Sequence, residues 1–356
     1  MTLPTTQPSA TLHLIIPGLL PAEVLGDSGH SVALPELEKL LSRTEERRVM
    51  AAGLSSALFA SATLASDPAC DLPVAPLRRS ADGGLPEAGW WLCADPVHLR
   101  VERDSVVLFP AEQLAVSAAE AEALVAAFND FFSERGWRLS APHPERWYLQ
   151  LAEDPAIRTY DLDEVVGRNI FPYLPSGRQG RSWHALLNEM QMVLHNCGVN
   201  RQREQRGAPL INALWLWGGG ADSALSLPWK NIHSDVLIAQ GMAQRAGLLC
   251  PPPPSSAQQW WQEITPAGES VVVLSSLHSA LQSGDSATWW TELQRLEADW
   301  FAPLRQWVKK GALQQLNIYP CEGSRFVTYP HEQRRFWRRR RTLATYAHPG
   351  GRALGE

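Results

Sequence analysis

Three continuous apolar runs stand out along the chain, at residues 12–16, 210–217 and 270–274. Runs of this length are typical of strands that are covered on both faces, as in a parallel sheet. The second run lies between Pro209 and Gly218 and leads into three consecutive glycines. In open α/β sheets, ligands bind at the carboxyl ends of the strands. The glycines therefore indicate either a close approach to a ligand or a tight turn without one.

Amphipathic stretches separate these runs. Apolar side chains recur at helical spacing over residues 35–58, 181–196 and 291–309, and this predicts three helices. Strands that alternate with helices in the C-terminal half favour a parallel sheet there. The other predicted elements of that half are a strand at 236–238, a helix at 241–249 and a strand at 316–319.

The region from residue 70 to residue 160 has a different pattern. Ser117 and Glu120 have the spacing of a capping box, which predicts a helix to about residue 134. Short apolar stretches with turn residues between them predict strands at 90–93, 97–101, 106–109 and 147–151. We therefore expect a smaller α+β unit over 70–160, inserted into an α/β core formed by 1–69 and 161–356.

Composition limits the class of protein. Of the 356 residues, 45% are hydrophobic and 19% are charged, which is typical of a globular chain. The formal net charge of −5 gives no general case for nucleic acid or an anionic membrane. The five cysteines are scattered and odd in number, which indicates a reducing compartment. Without a membrane-spanning run or a basic leader, the sequence predicts a soluble, cytoplasmic protein.

One basic cluster goes against the acidic balance of the chain. Six arginines lie between Arg334 and Arg341, next to Phe336 and Trp337. Arginines interleaved with aromatic rings can bind phosphates or nucleic acid. The alternative is a solvated basic face that pairs with acidic groups of the chain or of a partner. Because the cluster is single and the chain is acidic, we do not expect nucleic acid to be the partner.

Several segments resemble a known family. GVNRQREQRGAPLINALWLWGGG is similar to a segment of the archaeal-type cofactor-independent phosphoglycerate mutases, which belong to the alkaline phosphatase superfamily. Across the whole chain, WWLCADPVHLR, GRNIFPYLPSGR and WLWGGG resemble the RpfE-type regulatory proteins of proteobacteria. The resemblance implies an alkaline-phosphatase-like α/β fold, with a mostly parallel sheet flanked by helices. It also implies that the inserted α+β unit is a cap.

The same resemblance identifies residues that have changed. An active member holds two divalent metals with Asp and His side chains and uses a Ser or Thr nucleophile. The family's Asp-Gly after the first strand is Pro17-Gly18 here, and proline cannot bind a metal. The later metal-binding segments are replaced at 277–285 and 320–324, and only Asp299 stands where the family has an Asp. The resemblance therefore predicts a lost metal site, with no catalytic residues and no cofactor.

The first hypothesis is a catalytically degenerate relative with a regulatory or ligand-binding role. Its partner would be an anionic small molecule or another protein. Arginine side chains and glycine amides could hold a phosphate or carboxylate, although surface ion pairs explain the arginines equally well. The residues of this predicted ligand site are Asn200, Arg201, Arg203, Asn212, Gly218, Gly219 and Gly220.

The second hypothesis is an active metal-dependent phosphoglycerate mutase or phosphohydrolase with rearranged ligands. It needs several carboxylates and imidazoles to converge on one site. Ser55 and Ser56 would be candidate nucleophiles, although serines in an Ala/Leu-rich helix are usually structural. The candidate metal ligands are Asp27, His30, His278, Asp285, Asp299 and His331.

Overall fold

The structure is a computed structural model that describes residues 10–26, 32–48, 51–64, 70–263, 268–335 and 337–347. The chain forms two compact units. Unit 1 consists of Met1–Ala65 and Ser226–Glu356, and unit 2 consists of Ser66–Leu225. Unit 2 is therefore inserted in the sequence of unit 1.

Strands and helices alternate over much of the chain. The strands are β1 (Ala10–Ile15), β2 (Glu45–Arg48), β3 (Trp90–Val101), β4 (Val106–Phe109), β5 (Arg138–His143), β6 (Arg146–Leu151), β7 (Ala213–Ala221), β8 (Trp229–His233), β9 (Gly268–Val273), β10 (Gln315–Tyr319) and β11 (Ser324–Thr328). The helices are α1 (Ala22–Leu25), α2 (Pro35–Ser42), α3 (Leu54–Ser61), α4 (Val74–Ala81), α5 (Ala118–Phe131), α6 (Leu162–Val165), α7 (Gly180–Asn196), α8 (Gly198–Gln205), α9 (Leu237–Arg245), α10 (Ala257–Glu263), α11 (Ser276–Gln282), α12 (Ser286–Leu296), α13 (Ala302–Lys310) and α14 (Pro330–Gln333). None of the described helices is long and apolar enough to cross a membrane.

Unit 1 contains a six-stranded sheet in the order β2-β11-β10-β1-β9-β8. Strands β10, β1, β9 and β8 are parallel, whereas β11 and β2 add at one edge in antiparallel pairs. The predicted mixed α/β fold with a mostly parallel sheet is thus confirmed. Its buried core joins alternate strand residues to the helices, with Leu14, Ile318, Trp289, Trp300 and Leu304 all inaccessible to solvent.

Two predicted elements of unit 1 are wrong. The helix expected over 35–58 ends at Ser42, because the next residues form β2, which pairs with β11. Thr44 supports this break: its Oγ1 lies 2.5 Å from the carbonyl of Leu40 and 2.5 Å from Oγ1 of Thr328. The strand expected at 236–238 is instead the beginning of α9. The helix expected over 291–309 is present, as α12 and α13 joined by a π-helical turn.

Unit 2 contains an antiparallel sheet in the order β4-β3-β6-β5, with β7 paired to β3. This pairing corrects the expectation that the apolar run at 210–217 belongs to the parallel sheet. The run is apolar because both faces of β7 are covered. Leu214 and Leu216 join a core that includes Met190 and Leu194 of α7. On the α4 side, Arg78 lies over the ring of Trp217 at 4.8 Å.

The same pairing moves a domain boundary. We expected residues 161–356 to belong to the core, but the segment up to Leu225 belongs to unit 2. Strand β7 and helix α7 both pack with unit 2, where Leu214 and Leu216 of β7 and Met190 and Leu194 of α7 are buried together. The capping box at Ser117 and Glu120 is confirmed and begins α5.

Candidate functional site

The parallel strands of unit 1 end together at one edge of the sheet, where the resemblance described above implies a catalytic site. Ile15 pairs with Val273 on one side and with Tyr319 on the other, so these strands end at the same level. Ligands of open α/β sheets bind just beyond such ends. The residues found there include Pro17, Ser234, Asp235, Ser275, Cys321 and Glu322.

Strand β10 leads into Glu322, an acidic residue whose carboxyl group is largely buried. Oε1 of Glu322 accepts a hydrogen bond from the amide of Leu20 at 3.4 Å. Oε2 is buried and has no hydrogen-bond partner among the described residues. Burial raises the pKa of Glu322 to about 8 and raises the pKa of the Cys321 thiol well above its usual value.

The ends of β8 and β9 are joined by a side-chain hydrogen bond. Ser275 Oγ donates to the carboxylate of Asp235, at 2.9 Å from Oδ2 and 3.1 Å from Oδ1. Nearby in sequence, the buried His233 has its Nε2 3.7 Å from Glu263 Oε2. Burial lowers the pKa of His233, although the carboxylate of Glu263 opposes this shift. Asp235 is therefore bonded to a serine rather than grouped with other carboxylates.

The described residues do not form a metal-binding group. Nowhere among them do three or more His, Cys, Asp or Glu side chains come together so that they could hold a metal ion. Pro17 occupies the turn after β1, where the resemblance implies a carboxylate. Since a divalent metal needs several converging ligands, the described part of this edge does not fit the expected pair of metals.

The candidate ligands of the active-enzyme hypothesis have local partners instead. Asp285 begins α12, where its carboxylate accepts from the amide of Thr288 at 2.9 Å. Asp299 lies 3.7 Å from the guanidinium of Arg295, one helical turn away. The ring of His331 stacks on Tyr329. Asp27 and His30 lie outside the described residues, and His278 lies on α11.

The candidate nucleophiles lie near the end of β10. Ser55 and Ser56 are buried in the first turn of α3. The amide of Gly53, just before this helix, donates to the carbonyl of Cys321 at 2.8 Å. The location suits a nucleophile at the edge of the sheet, but a serine must be activated by a base or a metal. The described residues provide no metal-binding group to do so.

Arg203, the central residue of the predicted ligand site in unit 2, is completely buried. Its Nε and Nη2 each lie 2.9 Å from a carboxylate oxygen of Glu120. Nη1 donates to the carbonyls of Leu114 at 3.0 Å and Pro209 at 2.8 Å. The guanidinium thus joins α8 to α5 and to the two connecting segments. These protein acceptors occupy the donors that we had assigned to an anion.

The other polar residues of the predicted site lie at separate cavities. Asn200 is buried. Its side-chain Nδ2 donates to the carbonyls of Leu194 and Ile211, and its Oδ1 accepts from the backbone amide of Ile211. Asn200 and Arg201 line a cavity of about 240 Å³, and Arg201 is exposed. Asn212 lines a different cavity of about 870 Å³. The structure therefore does not bring these residues together in one cavity.

The three glycines are explained by packing. A Cβ atom on Gly218 would lie 2.8 Å from Cβ of Val74, and one on Gly220 would lie 2.3 Å from Cβ of Pro73. A Cβ atom on Gly219 would lie 2.9 Å from the indole nitrogen of Trp90. Helix α4, the segment before it and β3 thus approach the backbone of β7 closely. Any ligand-binding role of these glycines stays a prediction.

Sequence reasoning missed two acidic residues in unit 2. The backbone amide and the hydroxyl of Thr159 both donate to the carboxylate of Asp71, which lies with Gly219 at a cavity of about 260 Å³. The buried Asp95 accepts from Arg78 at 2.9 Å and from the indole of Trp217 at 2.8 Å. An aspartate within the apolar strand β3 is a sequence signal for such a buried ion pair. No comparable signal marks Asp71.

The basic cluster contacts acceptors of its own unit. Nε of Arg340 lies 3.0 Å from Glu38, and Nη1 of Arg335 lies 3.1 Å from Glu332. Arg338 donates to the carbonyl of Thr44 at 3.3 Å. Several arginines of the cluster therefore pair with groups of the chain. This agrees with the alternative of a basic face that pairs with acidic groups of its own chain. Phe336 lies outside the described residues.

Comparison with known proteins gives partial sequence matches. No protein-family model matches the chain. A segment of 92 residues is 27% identical to the 2,3-bisphosphoglycerate-independent phosphoglycerate mutase of Methanosarcina barkeri, and covers 24% of this chain and 23% of that protein. A segment of 57 residues is 35% identical to the probable enzyme of the same description in Geobacter sulfurreducens, over 16% of this chain and 14% of that protein. The matches thus span less than a quarter of these relatives.

Similar solved structures cover most of the chain. The PH0037 protein from Pyrococcus horikoshii superposes with a TM-score of 0.53 at 13% identity, over 91% of this chain and 88% of that one. The cofactor-independent phosphoglycerate mutase from Thermoplasma acidophilum gives a TM-score of 0.45 at 15% identity, over 91% and 90%. The first likeness shows a shared fold. The sequence matches support distant homology to cofactor-independent phosphoglycerate mutases.

Proposed function

We propose that this protein is a degenerate relative of the cofactor-independent phosphoglycerate mutases. In this proposal it has lost metal-dependent phosphoryl transfer and acts by binding a ligand or a protein partner. We assign it to the RpfE-type regulatory proteins on the segments that resemble that group. The five free cysteines agree with a reducing, cytoplasmic location.

The observation that carries the proposal is the chemistry at the carboxyl edge of unit 1. Pro17 offers no side-chain ligand after β1, and beyond β10 Oε1 of Glu322 accepts from the amide of Leu20. Two metals would each need several anionic or imidazole ligands to polarise a phosphoryl group. The described residues bring no such group together.

Metal content tests the loss of catalysis. The purified full chain is incubated with Mn²⁺ or Zn²⁺, desalted, and analysed by inductively coupled plasma mass spectrometry. We expect well below one ion per chain and no conversion of 3-phosphoglycerate to 2-phosphoglycerate in a coupled assay. Two ions per chain together with mutase activity would overturn the proposal.

Two variants separate a real site from adventitious metal. His278→Ala removes a candidate imidazole on α11, whereas His143→Ala removes a histidine of unit 2 outside the candidate ligands. If the rearranged active site existed, only the first variant would lose metal and activity. Equal trace metal in both variants and in the wild type is the result that our proposal predicts.

The expected anion-binding role now centres on Arg201. Its cavity of about 240 Å³ also includes His195, Asn200 and Glu204. Inorganic phosphate and 3-phosphoglycerate are suitable probes, with the thermal midpoint as the measurement. Stabilisation that Arg201→Ala abolishes would support an anion site at this cavity. Equal stabilisation of the variant and the wild type would exclude it.

A further inference from the structure

Unit 2 contains a large groove, which is the cavity that Asn212 lines. Its volume is about 870 Å³, within the usual range of about 300–1,000 Å³ for ligand sites. One wall is β7 and the other is one face of α7. Large apolar side chains line it, among them Leu99, Val101, Val106, Phe171, Leu187 and Met192.

The groove follows the backbone edge of β7. Five consecutive residues, 212–216, line it. Because successive side chains of a strand point to opposite faces, a cavity against one face would contact only alternate residues. Contact with all five therefore places the groove along the edge of the strand, where its amides and carbonyls point sideways.

This edge is unpaired over the same residues. Within the described part of the chain, β7 pairs with β3 alone. No further backbone hydrogen bond reaches residues 213–216 from any described residue. Farther along, Gly219 lies with Asp71 at a different, smaller cavity of about 260 Å³. The length of β7 without a second strand partner among the described residues thus lines the groove, and its residues 213–216 are each at most 5% exposed.

The opposite wall comes from a single helical face. The groove-lining residues of α7 recur at intervals of three and four positions. At the groove, Met192 is 64% exposed, Val101 is 80% exposed and Phe171 is 56% exposed. Large exposed apolar side chains that are grouped in this way mark an interaction site.

We propose that this groove binds an extended peptide segment of a partner protein, which adds to the edge of β7 as a further strand. Every second apolar side chain of the peptide would then pack against α7 and Phe171. Strand addition to an exposed sheet edge is a common mode of peptide recognition. An apolar small molecule would cover the groove but leave the row of amides and carbonyls unpaired, which is unfavourable.

This inference rests on the binding role proposed above, but it does not depend on the loss of the metal site. The two can fail separately, because metal content is measured on the carboxyl edge of unit 1. Peptide binding is measured on unit 2 within the full chain.

The test uses a pool of fluorescein-labelled, eight-residue synthetic peptides. Four alternate positions carry Val, Ile or Leu, and the positions between them carry Ser, Thr or Lys. Fluorescence anisotropy with the full-length protein identifies the tightest single sequence. That sequence is then made in two N-methylated forms, one at the odd residues and one at the even residues.

N-methylation distinguishes strand addition from simple apolar contact. In an added strand, only alternate amides of the peptide face the edge of β7. We therefore expect one N-methylated form to lose about tenfold or more in affinity and the other to bind nearly as the parent does. Equal binding by both forms would show that the groove takes an apolar ligand and would overturn the proposal, as would a lack of binding by the whole pool.

Matched variants of α7 test the location. Met192→Lys places a charge in the groove, whereas Ala185→Lys changes an exposed position of the same helix that does not line it. We expect about a tenfold loss of affinity for the first variant and no loss for the second. Equal affinity in both would overturn the location. Sedimentation showing a dimer that Met192→Lys dissociates would assign the groove to a second copy and would also overturn the proposal.

Discussion

Replacing Arg203 with alanine is the sharpest test of how unit 2 is held together. The substitution removes five hydrogen bonds from a residue with no solvent exposure. Two of them form a bidentate pair with Glu120, and three go to backbone carbonyls. If the residue were a ligand-binding arginine, its loss would affect binding and leave the fold stable. The structure predicts the reverse.

The expected cost follows from what the substitution leaves behind. Removing one partner of a buried ion pair costs about 3–5 kcal/mol. Glu120 is only partly buried and keeps its contacts with Arg206 at 2.5 Å and with the amide of Ser117 at 2.9 Å, so the cost of leaving its carboxylate without Arg203 lies at the lower end of this range. The buried carbonyl of Leu114 loses its donor, which adds about 1 kcal/mol. We therefore expect a loss of about 4 kcal/mol in the free energy of unfolding.

Thermal and urea denaturation followed by circular dichroism measure this loss. The control is Arg201→Ala, which removes an exposed arginine from the same helix and should change stability by less than about 0.5 kcal/mol. Arg203→Lys keeps the charge without the planar fork, so an intermediate loss is expected. Equal stability of Arg203→Ala and Arg201→Ala would refute this structural role.

The remaining predictions concern titration and packing. Folding raises the pKa of Glu322 from 4.5 to about 8, so the stability that this residue contributes is full below pH 4.5 and is lost as the pH rises towards 8. Because Glu322→Gln does not titrate, the thermal midpoint of this variant should fall less with rising pH. Parallel profiles of the variant and the wild type would contradict this prediction. The pKa of Glu120 shifts in the opposite direction on folding. Burial raises its pKa, but hydrogen bonds from Arg203 and Ser117 prevail and lower it to about 2. Its stabilisation is therefore full above pH 4.5 and lost as the pH falls towards 2, and Glu120→Gln should weaken this acid sensitivity. Gly220→Ala should lower the free energy of unfolding by about 1–3 kcal/mol, because the added Cβ would clash with Pro73. The control is Gly198→Ala, whose Cβ meets no atom within 4 Å and should leave stability unchanged or raise it. Equal thermal midpoints of the two variants would refute this explanation of the glycine.

Some of the candidate site could be read from the sequence. Pro17 in place of a carboxylate is visible without coordinates, since proline has no group that can bind a metal. The pattern also located the predicted ligand residues in one segment, but proximity in sequence did not place them in one cavity. The sequence gives no sign that Glu120, more than 80 residues away, neutralises Arg203. The edge groove was missed because the pattern of β7 does not tell which of its edges is paired.

The sequence by itself determined the type of most elements and the mostly parallel sheet of unit 1. Apolar runs and helical periodicity depend on the neighbours of each residue along the chain, so they identify β1, β9 and α7. The tertiary structure alone decided which strands pair. A run buried on both faces is equally apolar in a parallel sheet and between α4 and α7, so the pattern could not assign β7 to unit 2. Partners far apart in sequence likewise decide whether an arginine meets a ligand or a carboxylate of its own chain.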